Sequence, residues 1–255
     1  MNTVLRTLDD FYTTPLGRYA LSWEEQQYDK LVSDCFGYYA LQLGGTSIDF
    51  LRSNRIGTKI YADEHLTPLT NIADRESPRV QVSFENLPFE TESVDLIVMP
   101  HTLEAVEDPH ALLREVYRVL IPNGRLIVTG FNLMSLWGIR FRMQRLGVKP
   151  FLPGNQFISV FQLRDWLHLL SFNVDRGAFG AYHTTLATEQ SHRSTWIEKA
   201  GDRWWPQCGA LYALGAKKMV SGGKLVGKAI NKRYCFFGTH AGAHMERQAE
   251  KVLEE

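Results

Sequence analysis

Residues 85–132 read ENLPFETESVDLIVMPHTLEAVEDPHALLREVYRVLIPNGRLIVTGFN. Positions 94–99 (VDLIVM) are almost wholly apolar, which predicts a strand covered on both faces rather than a half-exposed one. Asp108 followed by Pro109 is a helix start: the carboxylate accepts from the first free N–H groups, and proline is tolerated where no intrahelical donor is needed. Leu112, Leu113, Val116, Val119 and Leu120 then mark one apolar helical face, until Pro122, Asn123 and Gly124 break the pattern. Positions 125–130 (RLIVTG) follow as another buried strand. Strand, helix and strand in this order make one unit of a parallel sheet.

Working outward gives more of the same. Upstream, 38–43 (YYALQL) reads as a strand ending in Gly44 and Gly45, 58–62 (TKIYA) as a strand ending at Asp63, and 79–84 (RVQVSF) as a third. Thr46 and Ser47 are placed to cap a short helix through Arg55, with Gly57 as its stop. Residues 10–35 predict an N-terminal helical segment, with Trp23, Gln27 and Leu31 at helical spacing behind a cap at Ser22. Downstream, 161–170 (FQLRDWLHLL) is amphipathic, and 172–179 and 211–220 (LYALGAKKMV) read as strands. The expected fold is therefore α/β: a Rossmann-like, doubly wound, mostly parallel seven-stranded sheet preceded by an N-terminal helical segment. The expected organisation is a helical segment over 1–35, the main domain over 36–220, and a basic, charged tail over 221–255.

The chain has 255 residues, of which 44% are hydrophobic and 12% aromatic, enough to bury a substantial core. Lys plus Arg and Asp plus Glu both number 28, so no net field favours nucleic acid or an anionic membrane as partner. Cys35, Cys208 and Cys235 fit neither a disulfide framework nor a zinc site, which predicts a reducing, cytoplasmic setting and no metal. No run approaches the roughly 20 apolar residues of a membrane span. Lys217, Lys218, Lys224, Lys228, Lys232 and Arg233 form a loosely spaced basic stretch that reads as a solvated tail, and His240 with His244 lack further ligands nearby.

In an open parallel sheet, ligands bind beyond the carboxyl ends of the strands, so the loops there carry the functional expectation. Gly44 and Gly45, lacking Cβ, allow close backbone approach. Asp63 lies 63 − 44 = 19 positions on, close to the roughly 20 expected of a carboxylate that bonds ribose hydroxyls. Paired glycines and a strand-end acid also serve as ordinary turn chemistry.

The segment 85–132 resembles the class I methyltransferases of the ubiquinone-biosynthesis, or type 11, group. The resemblance rests on Leu87-Pro88-Phe89, Ser93-Val94-Asp95-Leu96, His101-Thr102-Leu103-Glu104, Asp108-Pro109, Arg118-Val119-Leu120 and Pro122-Asn123-Gly124. A bacterial subgroup is suggested by Thr14-Pro15-Leu16-Gly17, Gly130-Phe131-Asn132 with Ser135, Gly138-Ile139-Arg140, and Leu163-Arg164-Asp165-Trp166-Leu167 with Phe172. The likeness spans roughly residues 10–220. It implies S-adenosylmethionine as cofactor and a small or medium-sized acceptor. Carried onto this chain, it implies a cofactor site of Leu43, Gly44, Gly45, Asp63, Glu64, Ser83, Phe84, Met99, Pro100 and His101. Gln42 stands where the group's loop opens on an acid, at least one loop glycine is replaced, and Ser83 stands where an acid usually meets the adenine.

Methyl transfer from a sulfonium is an in-line displacement that needs alignment and a dry site more than a catalytic dyad. His101 is the candidate general base, weighed against a structural hydrogen bond. Phe11, Tyr12, Tyr19, Trp23 and Tyr28 can either face the sulfonium or pack the core. Trp204-Trp205-Pro206 is a candidate edge of the acceptor pocket. Two other functions stay open: a non-catalytic binding or scaffold module built on this fold, and a nicotinamide dehydrogenase, which the incomplete dinucleotide glycine pattern argues against.

Overall fold

The computed structural model describes residues 8–64, 78–135, 137–139, 157–182 and 208–219. In chain order these form α1 (Leu8–Thr13), α2 (Pro15–Val32), β1 (Tyr39–Leu43), β2 (Thr58–Asp63), β3 (Arg79–Gln81), β4 (Val94–Pro100), α3 (Thr102–Ala105) and α4 (Pro109–Val119). They continue with β5 (Leu120–Phe131), α5 (Val160–Leu169), β6 (Phe172–Gly180) and β7 (Leu211–Lys218). All belong to one compact unit, Met1–Val220. The expectations for Trp204-Trp205-Pro206, for the lysines beyond 219, and for His240 and His244 fall outside the described residues.

The seven expected strands form one sheet in the order β3-β2-β1-β4-β5-β7-β6. β7 runs antiparallel to both its neighbours, and the remaining pairings are parallel. The chain therefore winds outward from β1 in one direction and from β4 in the other, and the strand order reverses between them. That junction is where a crevice opens at the carboxyl ends of the strands.

Alternation along the central strands explains why both faces are covered. Leu41, Leu43, Ile97, Met99, Leu126 and Val128 pack with Leu112, Leu113 and Val116 of α4 and Leu163 and Leu167 of α5. Ala40, Leu96, Val98 and Ile127 face the other way, against Tyr28 and Val32 of α2 and Phe50 and Leu51. Successive strand residues point to opposite faces, so a continuous apolar run feeds two separate helical layers.

Three local expectations are corrected. α2 starts at Pro15 and its cap is Thr14, whose hydroxyl accepts from Gly17 N at 2.9 Å; Ser22 lies inside the helix. Threonine before proline is the stronger start because proline has no N–H to satisfy at that position. No helix forms over 46–55, which consists of turns. There the side chains of Gln42, Asp49 and Asn54 take up backbone groups that a helix would have paired. The break at Pro122, Asn123 and Gly124 is a bulge within β5 rather than a loop before it. Val94 pairs with Leu120 and Leu96 with Arg125, and Asn123 takes a left-handed φ of 64°.

Lys218, assigned to the solvated basic stretch, is buried instead. Its ammonium donates to the carbonyls of Tyr117 (2.9 Å) and Leu120 (2.8 Å) at the end of α4, and lies 4.4 Å from the Tyr117 ring centre. A cation at a helix carboxyl end answers both the unpaired carbonyls and the helix dipole.

Candidate functional site

The residues at the carboxyl ends of β1, β2, β3 and β4 come together on either side of the order reversal. After β1 the backbone turns at Gly44 (φ 74°) and Gly45 (φ 56°), left-handed conformations that glycine adopts without a Cβ penalty. The turn is also tightly packed. A Cβ on Gly44 would lie 2.8 Å from Thr102 Oγ1, and one on Gly45 would lie 2.9 Å from Pro100 Cγ. The Thr102 hydroxyl donates to Leu43 O, so the turn and the segment after β4 are one assembly.

Gln42, fully buried, is the hub of that turn. Its amide NH2 donates to Gly45 O (3.1 Å) and Ile48 O (2.8 Å), and its carbonyl accepts from Phe50 N (3.1 Å). A carboxylate there could make the last of these bonds but neither of the first two. The neutral residue is thus what this turn requires.

Asp63 ends β2, and its carboxylate accepts from the Thr46 hydroxyl at 3.2 Å, linking the ribose candidate to the glycine turn. Glu64 is exposed; its carbonyl accepts from Gln81 Nε2 at 2.9 Å and its carboxylate lies 3.4 Å from Phe84 N. β3 stops at Gln81, so Ser83 and Phe84 belong to the following turn rather than to a strand through 84. Ser83, exposed, bridges to Asn86, whereas Phe84 is buried in the core. Leu43 and Met99 are fully buried and pack in the α4 and α5 layer, so their side chains face the core.

His101 has a different environment from the one the base assignment requires. It follows β4 in a left-handed conformation, φ 54° and ψ 12°, which is costly for a residue with a Cβ and persists only where the surroundings over-determine it. Its Nε2 meets the carboxylate of Glu24 from α2, and its Nδ1 lies 2.8 Å from Glu104 Oε2 on α3. Glu24 is 0%, Glu104 2% and His101 5% exposed. Tyr12 donates to Glu24 at 2.5 Å, and Phe131 N donates to Glu104 Oε1 at 2.6 Å, closing a buried chain from α1 to the end of β5.

Burial alone would favour the neutral ring, but Glu24 and Glu104 outweigh it and push the His101 pKa up to about 10. Burial, above all, raises the Glu104 carboxyl, against the pull of His101 and the Phe131 N–H. With a carboxylate oxygen on each ring nitrogen, the imidazole has no free lone pair, which a general base needs. The base expected at His101 is therefore replaced by a structural ion cluster. Glu24 was missed from sequence because no spacing rule links a mid-helix glutamate to a strand end many residues away.

The aromatic N-terminal residues resolve toward packing. Phe11 is edge-on to Phe131 with ring centres 5.6 Å apart, Tyr28 lies 4.6 Å from Phe50, and Phe11, Tyr12 and Tyr28 are buried. The landmarks Leu87, Phe89 and Arg118 are likewise structural. The Arg118 guanidinium donates to Leu87 O and Phe89 O, both at 2.9 Å, and Glu115 accepts from Leu87 N at 3.0 Å. Among the described residues no cluster of His, Cys, Asp and Glu could hold a metal ion.

A seven-stranded doubly wound sheet with one antiparallel strand, a glycine turn after β1 and an aspartate ending β2 is a Rossmann-like fold of the kind found in class I methyltransferases. The chain carries a domain of the type 11 methyltransferase family: residues 44–128 match the family described as "Methyltransferase domain". It is 34% identical over 161 residues to the uncharacterized protein YafS of Escherichia coli K12, covering 63% of each chain. It is also 34% identical over 92 residues to a demethylmenaquinone methyltransferase of Mycolicibacterium paratuberculosis, covering 36% of this chain and 40% of the relative. In both cases the likeness spans less than two thirds of the relative's length. A SAM-dependent methyltransferase from Thermotoga maritima, described as a possible histamine N-methyltransferase, superposes with a TM-score of 0.58 at 22% identity, covering 82% of this chain and 93% of that one.

Proposed function

We propose that this protein transfers a methyl group from S-adenosylmethionine to a small or medium-sized acceptor. The observation that carries the reading is the link between Asp63 and the glycine turn through Thr46, at the carboxyl ends of β2 and β1 beside the order reversal. The residues fit the donor: backbone at Gly44 and Gly45 beside the methionine portion, Asp63 with Glu64 nearby at the ribose, and Ser83 and Phe84 at the adenine. Leu43, Met99, Pro100 and His101 form the floor.

When bound, the donor supplies an electrophilic methyl on a sulfonium. This chain's own part is to hold the donor rigidly and keep water out, which is sufficient for an in-line displacement. With His101 engaged on both nitrogens, acceptor deprotonation is not assigned to it. The division into a helical segment (1–35), catalytic domain (36–220) and tail (221–255) belongs to the same proposal. So does a cytoplasmic location, supported by free thiols at Cys35 and Cys208 and by the lack of any membrane-length apolar helix among the described residues.

The test is calorimetric titration with S-adenosylmethionine and S-adenosylhomocysteine, repeated on Asp63→Ala. Loss of a charge-assisted hydrogen bond to the ribose is expected to weaken both ligands about tenfold to a hundredfold. Equal binding by the variant would remove Asp63 from the site, and no binding of either ligand by folded wild-type protein would favour a non-catalytic module.

A further inference from the structure

Between the N-terminal helices and the strand ends runs the buried chain Tyr12, Glu24, His101, Glu104 and Phe131 N, of which the donor-site reading uses His101 alone. His101 sits at its centre in a left-handed backbone conformation, flanked by the two residues that touch the glycine turn, Pro100 against Gly45 and Thr102 against Gly44. A strained, over-determined residue between two contacts to a binding loop is the arrangement by which local strain is held for function.

We propose that Glu24 is a positioning residue for the donor site: through His101 it holds the 100–102 segment in the shape against which the Gly44 and Gly45 turn is packed. This rests on the donor-binding reading above. Glu24 acts at a distance, on a helix that supplies none of the donor-site residues, and a continuous buried hydrogen-bonded chain is what transmits its effect. The imidazole itself meets Glu24 on α2 and Glu104 on α3, and the buried hydroxyls of Tyr12 on α1, Tyr28 on α2 and Tyr212 on β7 lie within electrostatic reach of those two carboxylates. The three buried tyrosines are raised well above their ordinary range and stay neutral below pH 9.

Glu24→Gln keeps the shape and removes one of the two carboxylates that hold the imidazolium, so His101 becomes able to lose its proton at ordinary pH. Affinity for S-adenosylmethionine and S-adenosylhomocysteine is measured by calorimetry from pH 6 to 9 in wild-type and variant protein, and the ratio of the two cancels the ligand's own titration. The variant is expected to bind about three- to tenfold more weakly near neutral pH, with the deficit growing as pH rises. A merely structural role would lower the melting temperature and leave the ratio at one at every pH, which would overturn the proposal. No binding by wild-type protein would overturn the donor-binding reading and this inference together. If Glu24→Gln fails to fold, Tyr12→Phe removes the hydroxyl that orients Glu24 without changing charge. Weaker binding with no pH trend would then support the positioning role, and unchanged binding would refute it.

Discussion

Gln42 is the residue at which this chain most visibly departs from its family's loop, and the departure has a physical account. Its amide donates to two carbonyls of the turn and accepts from Phe50 N, all in the dry interior. Gln42→Glu, which restores the acid usual at that position, would point carboxylate oxygens at carbonyl oxygens. We expect a loss of about 3 kcal/mol or more by denaturant unfolding, together with weaker donor binding. An unchanged midpoint would mean that the turn does not depend on the amide. At this scale Gly44, Gly45 and Asp63 were legible because left-handed turns and strand-end acids follow local rules. The His101 cluster was not, because the same histidine pattern fits a base or an ion pair until its neighbours are known.

Helices and strands were read more securely than single residues, because periodicity averages over many positions. α4 begins where Asp108 and Pro109 predict, with the carboxylate accepting from His110 N and Ala111 N. The missing helix over 46–55 and the early end of β3 are where side chains or turns outcompete propensity. Lys218 shows an element held by a partner distant in sequence, since it closes the carboxyl end of α4 from β7. Lys218→Met is expected to leave the carbonyls of Tyr117 and Leu120 without their donor and cost about 2–3 kcal/mol. Denaturant unfolding checks this, and a loss under half a kcal/mol would place the ammonium's role in solvent after all.

For the whole molecule, the buried charge cluster makes stability depend on pH. The folded pKa of His101, about 10, lies above its ordinary value of 6.5. Its contribution is thus complete below the unfolded pKa and is lost as pH rises toward the folded one. The raised Glu104 carboxyl acts in the same sense, because its charged form is the one that burial penalises. The melting temperature is expected to fall from pH 7 to pH 9.5, with His101→Gln flattening the slope. A wild-type profile that rises over this range would mean that the imidazole is neutral in the folded protein.

The amino-acid sequence by itself determined the doubly wound α/β sheet, the seven strands, the glycine turn and the aspartate that ends β2, because these follow from short-range periodicity and backbone sterics. Tertiary structure alone decided that β7 runs antiparallel, that Lys218 is buried, and that Glu24 reaches across from α2 to engage the ring nitrogen of the candidate base. Those outcomes depend on which distant groups share a dry interior, where the interaction between charges is set by position in space and not by spacing along the chain.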